Sequence, residues 1–194
     1  MKPSELICKR FAFSQAELDN YAQTCPYRYK TYQIEKRSTG FRTISQPSKD
    51  LKVVQRFMLE KFLNPKLIVH DAAKAYKTDT NILDNAKPHL KNSYILKMDF
   101  EDFFPSITAK DFVNYLISSN IAEENYESEL LAKIFFMNKN GELRLSIGSP
   151  GSPIISNALL KDFDKVIFDQ CVKEGIAYTR YSDDITLSTN HQDI

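Results

Sequence analysis

The sequence predicts an α+β fold, an antiparallel sheet backed by helices, and three observations carry that prediction. First, residues 177–188 alternate as strands do on either side of an Asp-Asp pair: Ala177, Thr179 and Tyr181 share one face before it, and Ile185 and Leu187 share one face after it, with Thr186 and Ser188 on the other. Second, Ser93 to Phe100 is a mostly apolar run that ends on Asp99 and reads as a buried strand. Third, apolar positions recur at helical spacing over residues 51–62, 109–118 and 154–173.

Taken in order, Ser14-Gln15-Ala16-Glu17 is a capping box that opens a short helix to Ala22, ended by Cys25-Pro26. Tyr27 to Lys36 alternates, Arg37 to Gly40 turns, and Phe41 to Ile44 returns, which makes a hairpin with a basic tip. Pro47-Ser48 leads into the stripe Leu51, Val54, Phe57, Met58, Phe62, which stops before Pro65. Residues 66–77 carry no clear period, and 78–86 reads as a helix. Thr108 caps the helix over 109–118, and another helix spans 129–137 before the turn at Lys139-Asn140-Gly141. The doubled Gly-Ser-Pro at 148–153 precedes one long helix, Ile154 to Lys173, which Gly175 ends.

The totals set bounds. The chain has 194 residues, enough for one domain or one and a half, and is 42% hydrophobic. No apolar run approaches the roughly 18 residues of a membrane span, and the start lacks the apolar core of a signal peptide. Cys8, Cys25 and Cys171 follow no disulfide or metal spacing, so a cytoplasmic protein with reduced thiols and no membrane partner is expected. The net charge of +1 divides unevenly: residues 1–90 carry +7 and residues 91–194 carry −6. A basic half suits phosphates and an acidic half suits cations.

Two carboxylates side by side at a turn repel each other unless a cation lies between them. Asp183-Asp184 is therefore either a solvated turn or half of a metal site. Asp99, at the end of its own strand, tips the choice. If that strand and the hairpin share a sheet, three carboxylates meet at one edge. Such a set can bridge two Mg²⁺ ions, with Mn²⁺ as a substitute, and two ions suit nucleotidyl transfer.

In this order the blocks resemble those of reverse transcriptases, and bacterial retron reverse transcriptases most closely. Asp99-Phe100-Glu101-Asp102-Phe103-Phe104-Pro105-Ser106 is similar to the family's first catalytic block, and Tyr178 to Ser188 to its Tyr-x-Asp-Asp block. Phe41 to Pro47 resembles the fingers block, and Asn85-Ala86-Lys87-Pro88-His89 fits the Asn-Ala-x-x-His signature of retron enzymes.

The resemblance implies a right-hand polymerase palm with fingers: residues 1–26 an N-terminal helical extension, 27–92 fingers, 93–194 palm. It implies Asp99, Asp183 and Asp184 as catalytic metal ligands, with the Phe100 backbone carbonyl beside them. Arg42 would fork onto the incoming triphosphate, assisted by Lys36 and Arg37 unless these are only an exposed basic turn. Phe104 would crowd a ribose 2′-hydroxyl and so select deoxynucleotides. Gly148, Ser149 and Pro150 would line the nucleotide, and Ser152, Pro153, Asn157 and Tyr181 the template and primer. The implied partners are an RNA template (a structured noncoding RNA), the DNA product, deoxynucleotides and an antiphage effector protein.

Two departures stand out. Ser146-Ile147 occupies the place of the family's Pro-Gln, and Ile147 cannot hydrogen-bond a sugar. The chain also stops soon after the Asp-Asp hairpin, so a fingers-palm fragment with the thumb missing is expected, weak or inactive alone. A catalytically impaired nucleic-acid-binding or assembly module, or a template-independent antiphage polymerase on the same fold, stands as the alternative.

Overall fold

The structure, a computed structural model, describes residues 1–35, 40–78, 80–122 and 125–191. Contacts divide the chain into two units, Met1–Leu67 with Phe104–Ile155, and Ile68–Phe103 with Ser156–Ile194. This grouping by packing cuts across the domain boundaries expected from the sequence.

In the first unit, helix α1 (Pro3–Phe11) precedes α2 (Gln15–Thr24). The expected capping box closes α2: Ser14 Oγ accepts from the Glu17 amide, and Glu17 accepts from the Ser14 amide at 2.8 Å. Strands β1 (Tyr29–Glu35) and β2 (Phe41–Pro47) form the basic hairpin, with Ile34 opposite Arg42. Its tip, Lys36 and Arg37 included, lies outside the described residues. The stripe at 51–62 becomes helix α3 (Lys49–Met58), followed by a π turn over Leu59–Leu63.

The second unit holds a three-stranded antiparallel sheet: β3 (Tyr94–Asp99), β6 (Ala177–Tyr181) and β7 (Asp184–Thr189), in the order β3-β7-β6. Between β3 and β6 the chain makes α5 (Phe103–Ser106), α6 (Ala109–Ser118), α7 (Asn125–Phe135), the hairpin β4 (Met137–Lys139) and β5 (Glu142–Arg144), α8 (Ser152–Leu159) and α9 (Lys161–Lys173). Before β3, helix α4 (Ile82–Ala86) passes into a 3₁₀ turn over Lys87–His89.

Three expectations are corrected. The helix expected over 78–86 starts at Ile82, because Asn81 caps it: Asn81 Oδ1 accepts from the Leu83 amide at 2.8 Å. The long helix over 154–173 is interrupted at Leu160. Helix α6 belongs to the first unit, where it packs on α7. Strand β3 is exposed at every position rather than buried, Ile95 by 56%. It has one hydrogen-bonded neighbour, β7, so an apolar sequence here makes an edge and not a centre.

The first unit's core gathers Leu51, Met58, Phe112, Leu116, Leu131, Ile134 and Phe135. Buried Gln55 is its polar hub, donating to the Ile134 carbonyl at 2.7 Å and accepting from Ser149 Oγ at 3.2 Å. Buried Glu127 on α7 accepts from the Ser4 amide and hydroxyl at 2.9 and 2.5 Å, satisfying one of the free N-terminal amides of α1. The sheet's inner face packs Tyr178 and Ile185 with Ala72 and Cys171, joined by Phe100, Ile167 and Leu187. The outer edge of β6 is paired by the untyped segment: the Arg180 amide donates to Ala72 O at 2.9 Å, and the Lys74 amide to Arg180 O at 2.8 Å.

Candidate active site on the three-stranded sheet

Asp99 and Asp184 are register partners across β3 and β7. The Phe100 amide donates to Asp183 O at 3.1 Å, one residue past the pair, so Asp99 and Asp184 form a non-hydrogen-bonded pair. Such pairs are the closer kind, with Cα atoms about 4.5 Å apart and side chains on the same face. Like charges set there destabilise a sheet. Asp183 is the second residue of a two-residue loop between Tyr181 and Asp184. Ser182, the first, holds a left-handed φ of 63° while Asp183 does not, the pattern of a type II′ turn. A non-glycine residue in that position is strained.

The three acids are thus neighbours along the backbone. Among the described residues, however, no group of three or more His, Cys, Asp or Glu side chains is gathered tightly enough to hold an ion. The donor set still fits hard divalent ions: oxygen ligands, on one sheet edge, with Asp99 and Asp184 exposed and Asp183 half-buried. Phe100 is anchored by its ring, stacked on Phe103 at 5.6 Å and edge-on to Phe163 at 5.7 Å between centroids.

Strand alternation puts Asp184, Thr186, Ser188 and Thr179 on one face, and Arg180, Tyr178 and Ile185 on the other. The first face meets the Asn-Ala-x-x-His segment. His89, 6% exposed, has Nδ1 2.6 Å from Ser188 Oγ and Nε2 2.8 Å from Thr179 Oγ1, so it ties β7 to β6. Burial, and then the charge of Lys97, push its pKa below the usual 6.5. Asn92 adds bonds to Ser188 O and Oγ at 3.1 and 2.8 Å. Asn85 lends its backbone carbonyl to Thr179 Oγ1 at 3.5 Å, while its own Oδ1 is buried without a partner. Pro88 lacks an amide hydrogen, so the α-helix stops at Ala86; Asn85 and His89 do not share a continuous α-helical face.

On the opposite face lies a network that sequence reading missed. Arg180 and Asp164 are fully buried and paired through two bonds, Nε to Oδ1 at 2.8 Å and Nη2 to Oδ2 at 2.6 Å. Tyr178 donates to Asp164 Oδ1 at 2.7 Å. Arg180 Nη1 also donates to Asn157 Oδ1 at 3.0 Å and to Ser182 O at 2.7 Å. The signal was present in the alternation: Arg180 shares its face with Tyr178, and a buried guanidinium calls for a buried acid.

The Gly-Ser-Pro block is turned inward more than expected. The Gly148 backbone approaches β2 rather than open space: a Cβ there would meet Ile44 Cγ2 and Ser45 O at 3.1 Å, and its φ is 121°. Ser149 is spent on Gln55, and buried Ser152 donates to Ser146 O at 2.7 Å. Asn157, fully buried, donates to Ala75 O at 2.9 Å. The side chains of Ser152 and Asn157, expected at the template, therefore brace the fold from within. Arg42 is exposed on β2; Phe104, Pro150, Pro153 and Tyr181 are half-buried.

A three-stranded antiparallel sheet with its acids at one edge, among helices, is the architecture of template-reading polymerases, and solved structures agree on the fold. A Candida albicans telomerase solved with a fragment of telomeric RNA matches with a TM-score of 0.52 over 85% of this chain and 38% of its own, at 12% identity. A Candida tropicalis telomerase matches with a TM-score of 0.53 over 98% and 48%, at 15% identity. The chain belongs to the reverse transcriptase (RNA-dependent DNA polymerase) family, whose model matches residues 34–194. It is 42% identical to the retron Ec83 reverse transcriptase of Escherichia coli, over 86% of this chain and 54% of that protein. It is 36% identical to the Escherichia coli retron Ec86 enzyme over 85% and 50%, and 34% identical to the Myxococcus xanthus retron Mx162 enzyme over 82% and 35%. It spans about half the length of the first of these relatives. Among the described residues no helix is long and apolar enough to cross a membrane.

Proposed function

We propose that this chain carries the fingers and palm of an RNA-directed DNA polymerase of the retron type, acting in the cytoplasm, with residues 27–92 as fingers and 93–194 as palm. The observation that carries the reading is the register pairing of Asp99 with Asp184 beside the strained turn at Ser182-Asp183. Asp99, Asp183 and Asp184, with the Phe100 carbonyl, would hold two Mg²⁺ ions, or Mn²⁺ in their place. When bound, these ions supply activation of the primer hydroxyl and charge stabilisation of the leaving oxygens.

The chain's own residues do the rest. Arg42 forks onto the triphosphate, which a planar guanidinium matches in geometry; Lys36 and Arg37 would assist by their positive charge. Phe104, five residues past Asp99, crowds a ribose 2′-hydroxyl and so favours deoxynucleotides. Gly148 to Pro150 offer backbone to the nucleotide, and Tyr181 and Pro153 border template and primer. The substrates are deoxynucleotides, an RNA template supplied by a structured noncoding RNA, and the growing DNA; an antiphage effector protein is the proposed partner.

Ile147 favours a second reading, a nucleic-acid-binding module with impaired catalysis, because it offers no hydrogen bond to the nucleotide. Primer extension by the full-length natural chain on RNA and DNA templates separates the readings. The expected result is RNA-templated incorporation that falls about a thousandfold or more in Asp183→Asn/Asp184→Asn, the scale of losing several kcal/mol of metal stabilisation. Incorporation without template would select the template-independent polymerase, and RNA binding without incorporation the module.

A further inference from the structure

The buried guanidinium behind the acid-bearing hairpin has a geometry that a plain core ion pair does not need. Two of the Arg180 nitrogens are taken by Asp164 on α9. The third, Nη1, reaches Asn157 on α8 and the Ser182 carbonyl, two residues further on in the loop that follows its strand. That carbonyl belongs to the peptide that leads into Asp183. It also belongs to the one residue of the loop forced into the left-handed region, with φ at 63°. Asn157 is in turn locked to Ala75 O at 2.9 Å. The Ser182 hydroxyl is held from the other side, 3.1 Å from Tyr76 Oη. The turn is therefore gripped at both its carbonyl and its side chain, and the grip is referred back to two helices.

We propose that Arg180 is a positioning residue for Asp183 and Asp184, fixing the Ser182-Asp183 peptide through the bracket Asp164–Arg180–Asn157. The inference rests on the reading that these acids hold the metal ions of nucleotidyl transfer. Arg180 is fully buried, so its side chain is out of a substrate's reach. Its charge is met by Asp164 in a two-point pair, so its effect on the acids is geometric. A strained turn relaxes unless its surroundings over-determine it, and carboxylates that must share ions tolerate little drift. Groups in this supporting role usually change metal affinity as well as rate.

The test uses the full chain and reads metal binding directly. Mn²⁺ binding is measured by electron paramagnetic resonance, and amide hydrogen exchange over residues 181–185 is followed in metal-free protein. Arg180→Lys keeps the charge but cannot make the fork and reach Ser182 together. It is expected to weaken Mn²⁺ binding roughly 10- to 100-fold, to speed exchange at the turn, and to raise the Mg²⁺ needed for extension while leaving the nucleotide KM unchanged. Adding Ser182→Gly should restore part of the loss, because glycine adopts a positive φ without cost. Asn157→Ala, which leaves the buried ion pair whole, should show the same pattern more weakly, and serves if the lysine variant does not fold. Folded Arg180→Lys or Asn157→Ala protein with parental Mn²⁺ binding and Mg²⁺ dependence overturns the inference. If instead the parent's Mn²⁺ binding is indifferent to Asp183→Asn/Asp184→Asn, the polymerase reading fails first and takes this inference with it.

Discussion

Two hairpins in this chain are built for opposite purposes. Among its described residues the β1–β2 hairpin exposes most positions, Arg42 among them, and buries only Ser45 and Pro47 near its base. The β6–β7 hairpin buries most of its residues and is gripped on both faces, by His89 on one and by Arg180 on the other. A group that must follow a substrate gains from loose mounting, and acids that must share ions gain from a rigid one. The contrast says which of the two hairpins is held by buried polar groups: the one that bears the acids.

The largest expected effect breaks the rigid hairpin. Arg180→Ala leaves Asp164 buried without its partner, and removing one member of a buried pair costs about 3–5 kcal/mol. Denaturant unfolding should show that loss. Arg42→Ala, on the exposed hairpin, should shift the same curve by no more than about 0.5 kcal/mol.

Arg42→Ala sharpens the contrast through binding. Charge-assisted hydrogen bonds are worth about 1.5–3 kcal/mol, so deoxynucleotide affinity should fall by roughly one to two orders of magnitude. Affinity for single-stranded RNA should change little. Paired titrations decide, and the opposite outcome would assign Arg42 to the template track.

The smallest effect concerns the His89 clamp. Its folded pKa is depressed below 6.5, so below that value the unfolded chain binds more protons than the folded one. Stability should be steady above about pH 6.5 and fall as the pH drops from there towards the folded pKa. His89→Gln should flatten that part of the stability profile. A variant with the parent's slope would show that other groups set the acid sensitivity.

Much of this was legible in local pattern. The capping box at Ser14, the strand pairing of the first hairpin and the alternation around Asp183-Asp184 formed as read, because each depends on residues a few positions apart. Helix α1 went unread, since its first turn is completed by Glu127, more than a hundred residues away. Buried Ser152 and Asn157 were read as template contacts, because motif position does not say which way a side chain turns.

By itself, then, the sequence determined the family and the α+β class, since residue type and short spacing encode these. Tertiary structure alone decided that Asp99 stands opposite Asp184, that β3 is an exposed edge, and that Arg180 holds the turn. Register, edge and burial are set by partners distant in sequence. An apolar run or an arginine in a strand has the same local pattern whether or not those partners arrive.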